Sequence, residues 1–153
     1  MTGDPLEEFA VLRRLGPVQR AAVAAMATEV TFAGGTRLFS EGQPASGCWL
    51  IRTGLVSLTT AMPARGDVVL QTLGPGEVLG WSWLVPPHHW HFTATAQGPV
   101  TAVELDTTLL RMLADQQPEL GYPLALGLIE TLLARLQSTR ARLLDLYGSP
   151  RDR

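Results

Sequence analysis

The segment Gly80-Trp81-Ser82-Trp83-Leu84-Val85-Pro86-Pro87-His88-His89-Trp90-His91-Phe92 gathers three of the four tryptophans and all three histidines of the chain. Two kinds of chemistry suit such a set. Imidazoles two residues apart, as in His89-x-His91, point to one side of a strand and form a pair able to ligate a metal ion or a haem iron. Indole faces stack on planar ligands or on cations, and they also fill apolar space. A zinc enzyme needs a third ligand in register, and the next acid after His91 is Glu104, so no metal or cofactor is expected to be resident. No two carboxylates have a spacing that argues for acid–base catalysis, and Ser82 has no triad partner by pattern; the expectation is a protein that binds rather than catalyses. Cys48 opens the apolar run Cys48–Ile51 and reads as a small core residue. As the lone cysteine it excludes an internal disulfide, which suits a reducing cytoplasm.

These residues need elements to hold them. Residues 5–27 read as helix: Leu6, Phe9, Leu12 and Leu15 recur at near-helical spacing, Gly16-Pro17 breaks the run, and Pro17 opens a second short helix through Met26. From Thr31 the texture changes to short apolar runs between glycine turns: Arg37–Phe39, Cys48–Arg52, Leu55–Thr60, Val68–Leu73, Trp90–Ala96 and Val100–Leu105. That rhythm predicts a β-sandwich or jelly roll. Val100–Leu105 alternates poorly and is expected to be buried on both faces. Asp106 is a candidate N-cap for a helix over 107–114. A long helix follows Pro118, carries Pro123 near its start, and runs to about Tyr147, closed by Gly148-Ser149-Pro150. Along it Ile129, Leu132, Leu136, Thr139, Leu143 and Leu146 are spaced by threes and fours, an a/d seam suited to a parallel homodimer or to packing on the protein's own sheet. The expected architecture is α+β in a single domain over 1–153, with N-terminal helices (1–30), a double-stranded β-roll or jelly roll (31–105) and C-terminal helices (106–148).

The 153 residues carry 46% apolar and 17% charged side chains, enough for one domain with a core. No apolar run reaches the length of a membrane span, and the acidic N-terminus lacks the order of a signal peptide. All twelve bases are Arg against fourteen acids, for a net charge of −2. A chain of that balance lacks the basic footprint of a nucleic-acid binder. Five residues follow Gly148, fewer than a helix-turn-helix needs, so direct DNA binding is not expected.

The stretch from Phe9 to Leu105 resembles the cyclic nucleotide-binding sensory domain of Crp-Fnr regulators and of protein kinase A regulatory subunits. The likeness rests on Thr31-Phe32-Ala33-Gly34-Gly35-Thr36-Arg37-Leu38-Phe39-Ser40-Glu41-Gly42, on Trp49-Leu50-Ile51-Arg52-Thr53-Gly54-Leu55-Val56-Ser57-Leu58, on Leu73-Gly74-Pro75-Gly76-Glu77-Val78-Leu79-Gly80, and on Thr93-Ala94-Thr95-Ala96. Residues 80–92 are similar to a subgroup of single-domain members. The resemblance implies a β-roll, a small-molecule effector and a role in signal transduction. It also implies a phosphate-binding cassette opening at Gly80, in which a Glu after the Gly holds the ribose and an Arg about ten residues on pairs with the phosphate. Here Trp81 stands for the Glu, and Trp90, or His91 with a one-residue gap, for the Arg. No Arg lies between Arg65 and Arg111. Removing the cation from a buried phosphate costs about 3–5 kcal/mol, roughly two to four decades of affinity. The effector is therefore expected not to be cAMP. The candidate effector residues are Gly80, Trp81, Ser82, Trp83, Leu84, Trp90, His91, Phe92 and Thr93. Three readings of the Trp cluster stay open: it fills the cavity of a lost nucleotide, it lines a pocket for another effector, or it forms a surface for a protein partner. Some relatives bind haem, which keeps His89 and His91 in view as a fourth.

Overall fold

The computed structural model describes residues 6–148. After a 3-10 turn at Ala10–Leu12 and a short helix α1 (Pro17–Ala24), eight strands follow: β1 (Ala27–Phe32), β2 (Arg37–Phe39), β3 (Cys48–Thr53), β4 (Val56–Met62), β5 (Gly66–Leu73), β6 (Val78–Leu79), β7 (Thr93–Ala96) and β8 (Val100–Leu105). Helices α2 (Thr107–Gln116) and α3 (Pro118–Gly148) complete the chain. The strands form two four-stranded sheets, ordered β1-β8-β3-β6 and β2-β7-β4-β5, with antiparallel neighbours throughout. This is the α+β jelly roll expected.

The core is in two parts because one sheet is covered on both faces. In β3, Cys48 and Leu50 belong to a cluster with the helices, while Trp49 and Ile51 belong to the cluster between the sheets. In β8, Val103 and Leu105 face the helices, and Val100 and Ala102 face the other sheet. Adjacent buried residues on opposite faces are what a strand covered on both sides must have. The continuous apolar run Cys48–Ile51 and the poor alternation of Val100–Leu105 have this one cause. Each large side chain so buried contributes about 1.5–3 kcal/mol of transfer free energy.

The chain starts differently from the expectation. Residues 1–30 are expected as helices, yet among the described residues of that range only the 3-10 turn and the eight residues of α1 are helical, and Ala27–Val30 pair with β8 from Ala27↔Leu105 onward. Thr28, Val30 and Thr31 are β-branched and fit a pleated edge better than a helix. The Leu6, Phe9, Leu12 and Leu15 side chains are buried in the helix-side core, as their spacing implied. Arg52 lies 5.4 Å from the Phe9 ring centroid and pairs with Glu8 and Glu29, so the N-terminal segment is clamped to β3.

Other boundaries shift less. The strand expected over Trp90–Ala96 begins only at Thr93, and Trp90–Phe92 is loop. β6 is two residues long, too short for a periodic signal. The Asp106 carboxylate accepts the Leu109 N–H at 3.1 Å, capping α2 as expected. The expected helix start at residue 5 and the Ser149-Pro150 stop fall outside the described residues.

Candidate functional site

The loop from Gly80 to Phe92 closes over the sheets through a few fixed contacts. Gly80 has φ +98°, and a Cβ there would meet the Gly47 carbonyl oxygen at 2.6 Å; no other residue fits this backbone without strain. The Gly80 carbonyl accepts the Trp83 Nε1–H at 2.9 Å. Farther along, His88 O accepts the Ala45 N–H at 2.7 Å and Trp90 N donates to Gln43 O at 2.9 Å, so the far end of the loop is laced to residues 42–45.

The candidate effector residues do not share one cavity wall. Trp83, 4% exposed, packs into the helix-side core, with Leu84 and half-buried Trp81 against it. Trp90 lies in the other core, stacked on Phe39 with centroids 3.6 Å apart and planes at 11°. Phe92 packs beside that stack, 5.9 Å from Phe39. Trp81 stacks on the exposed His91 ring at 5.2 Å, and His91 Nδ1 lies 3.2 Å from the Ser82 hydroxyl. The Thr93 hydroxyl accepts the Glu41 N–H at 3.0 Å. Separation into two cores follows from the sheet between them, which no local pattern reveals.

His89 and His91 do not form a ligand pair. The strand that would have aligned them is a loop here; His89 Nδ1 sits 2.9 Å from the Pro87 carbonyl, and His91 turns to Ser82 and Trp81. Among the described residues no three His, Cys, Asp or Glu side chains cluster as a metal site would require. Cys48 is buried, and burial pushes its thiol up to about 12, against a smaller opposing effect of the Trp83 indole.

A groove of about 720 Å³ opens between the second sheet and the end of α3. Its apolar walls are Leu58 of β4, Val69 and Leu70 of β5, Phe92, and Leu143 and Leu146 of α3, and Gln71, Thr139, Arg142 and Asp145 add polar groups to the lining. Of the nine candidate effector residues, Phe92 lines it. Arg142 Nη2 donates to the Leu70 carbonyl at 2.7 Å, and farther up α3 half-buried Arg135 donates through Nη2 to the Val78 carbonyl. Burial lowers the Arg135 pKa, partly opposed by Glu77. An apolar seam leaves out Arg135 and Arg142, yet their spacing with Thr139, four and three, sets the three on one polar stripe of α3.

This roll, with its glycine-opened loop and long final helix, has clear relatives. Residues 29–117, more than half of the chain, match the model of the cyclic nucleotide-binding domain. The chain belongs to the cyclic nucleotide-binding domain family. A CRP-like cAMP-activated global transcriptional regulator of Mycobacterium tuberculosis is 29% identical over 132 residues, which cover 84% of this chain and 57% of that protein. The chain thus spans little more than half the length of that relative. The N-terminal domain of a transcriptional regulator from Streptomyces coelicolor A3(2) is 28% identical, with a TM-score of 0.67 and coverage of 95% of this chain and 99% of that one. A cyclic nucleotide-binding domain from Methylobacillus flagellatus KT, 20% identical, shares the fold at a TM-score of 0.80, covering 95% and 86%.

In the cyclic nucleotide-binding family the domain is typically sensory or regulatory rather than catalytic. Within this member, α3 divides in two. Leu120, Leu124 and Leu128 are buried against the helix-side core. Beyond them Ile129 is 58% exposed, Leu136 64% and Leu146 80%, and Leu143 is half exposed; Leu132 is half-buried. Among the described residues no helix is long and apolar enough to cross a membrane.

Proposed function

We propose that the chain is a non-enzymatic sensory module that takes up a small effector other than cAMP in the groove beneath α3, and that two copies pair through the exposed stripe of that helix. The observation that carries the effector reading is the groove's lining: Leu58, Val69, Leu70, Phe92, Leu143 and Leu146 offer an apolar body its surface. The segment where relatives' resemblance would put a ribose acid and a phosphate cation holds Trp81 and Trp90 or His91. A reducing cytoplasm suits its lone buried thiol.

Tryptophan emission tests the exclusion of cAMP, because three of the four indoles lie in residues 81–90, where the family resemblance puts the cyclic phosphate. Titration with cAMP and cGMP is expected to give dissociation constants no tighter than about 100 μM. Saturation in the low micromolar range overturns the reading. A melting-point screen of small apolar acids and aromatics then searches for the effector, since any ligand of the native state raises stability by mass action.

A second reading has its own support: the Trp90–Phe39 stack fills space between the sheets, as in a partner-binding domain that needs no effector. Trp81→Glu with Trp90→Arg separates the two. Gain of cAMP affinity in that double variant means a pocket persists; no gain and no hit in the screen favours the partner-binding reading.

A further inference from the structure

A second cavity, of about 460 Å³, lies between the N-terminal segment, the β5–β6 turn and α3. Gly127 makes its floor possible: a Cβ there would collide with the Val11 carbonyl oxygen, so only glycine lets α3 lie against the backbone of the N-terminal turn. Its polar lining is Arg13, Gln71, Glu77, Glu130, Thr131, Arg135 and Ser138.

Two guanidinium groups, Arg13 and Arg135, and two carboxylates, Glu77 and Glu130, line this cavity, and Glu130 already has a cation from outside the lining. Glu130 is taken by Arg14 in a two-pronged ion pair at 2.9 and 2.5 Å. Glu77 Oε2 accepts the Gly74 N–H at 3.1 Å. The exposed Arg13 guanidinium makes no hydrogen bond among the described residues, though its charge also attracts Glu130, and the Nε–H of Arg135 is buried without a partner among them. Arg135's one hydrogen bond goes to a neutral carbonyl, Val78 O. With Arg14 counted from outside the lining, three guanidinium groups, Arg13, Arg14 and Arg135, stand against the two carboxylates. A partly buried cation with donors to spare is costly unless an anion completes it. A guanidinium fork fits the paired oxygens of a phosphate or carboxylate, and the Ser138 hydroxyl and Gln71 amide add neutral donors.

We infer that this cavity is a binding site for a small oxyanion, a phosphate or carboxylate group, held between Arg13 of the N-terminal segment and Arg135 of α3. Gln71 is the one residue that lines both this site and the effector groove, and the anion inference does not depend on the reading above. Its two cations come from elements that touch at Gly127, and a bound anion would tie the N-terminal segment to the long helix.

The test uses the full chain and inorganic phosphate, titrated at constant ionic strength against chloride, with NMR detection of backbone amides and arginine Nε–H groups. Saturable shifts of Gly76, Glu77 and the Arg135 Nε–H are expected, with a dissociation constant of about 1 mM or tighter. Arg13 is exposed, so Arg13→Gln should fold and melt as the native chain does in chloride, yet bind phosphate roughly tenfold more weakly. Glu130→Gln, which removes a carboxylate from the lining, is expected to strengthen binding. Shifts confined to the amides of 80–84, no saturation, or unchanged affinity in Arg13→Gln would each overturn the inference.

Discussion

Gly80 is the residue on which the loop of tryptophans turns. Its φ of +98° is a conformation that side-chain-bearing residues rarely adopt, and the Gly47 carbonyl at 2.6 Å closes the space a methyl would need. Gly80→Ala is therefore expected to destabilise the fold by about 1–3 kcal/mol, read as a lower urea midpoint; an unchanged midpoint would show that the loop yields freely. Cys48 makes the other residue-scale prediction. Burial raises its pKa from 9.0 to about 12, so between those values the unfolded chain has lost a proton that the folded chain keeps. The unfolded state then binds fewer protons, and stability falls as pH rises through that window. Below pH 9 the contribution is present in full. Urea midpoints of native protein and Cys48→Ala should converge as pH is raised from 8 toward 11; parallel curves would mean that the thiol is not what titrates. The same burial predicts that a thiol reagent labels Cys48 only after unfolding.

Helix α3 does two jobs along its length. Its first turns bury Leu120, Leu124 and Leu128 in the helix-side core. The later turns leave Ile129, Leu136, Leu143 and Leu146 at least half exposed, while Arg135 and Arg142 fasten the adjoining face to carbonyls of β6 and β5. Leu143 and Leu146 also border the groove against β4 and β5, while Ile129 and Leu136 are the exposed surface on which the proposed pairing rests. Leu136→Arg places a charge in the open edge, where the single chain has solvent, so the variant should fold normally but sediment as a monomer at concentrations where native protein is a dimer. Native protein that is already monomeric at tens of micromolar excludes the pairing. The groove under Arg142 depends on the same helix. Its far wall is residues 139–146, so anything that moves α3 also reshapes that wall.

For the molecule as a whole, charge sets what it can meet. Twelve bases against fourteen acids leave no cationic excess, and counterion release from DNA needs one. A gel shift with mixed-sequence duplex at low salt should show no complex of this chain; a salt-sensitive complex at sub-micromolar protein would refute that. The two-layer core also makes the domain a unit: β3 and β8 contribute to both clusters. A substitution on either face of these strands is therefore expected to be felt by the helices and the roll together, rather than by one layer.

What the sequence by itself determined was whatever local geometry writes into the chain. β2 at Arg37–Phe39 and β8 at Val100–Leu105 lie where the short apolar runs predicted them, and Asp106 caps α2 because a carboxylate before a helix has orphan N–H groups to accept from. Gly80 and the ordered glycine turns around it carried the family likeness. Tertiary structure decided the rest. Ala27–Val30, grouped by expectation with the N-terminal helices, are strand because β8 offers its edge, and β6 exists only as the partner of Trp49 and Leu50. Trp83 and Trp90 are seven positions apart, yet a sheet parts them into separate cores. The groove joins Leu58 and Leu70 to Leu143 and Leu146, and the second cavity joins Arg13 to Arg135. Propensity and periodicity report on a few neighbouring residues; which surfaces face each other across the fold is set by packing between segments far apart in the chain, and both candidate sites lie at such junctions.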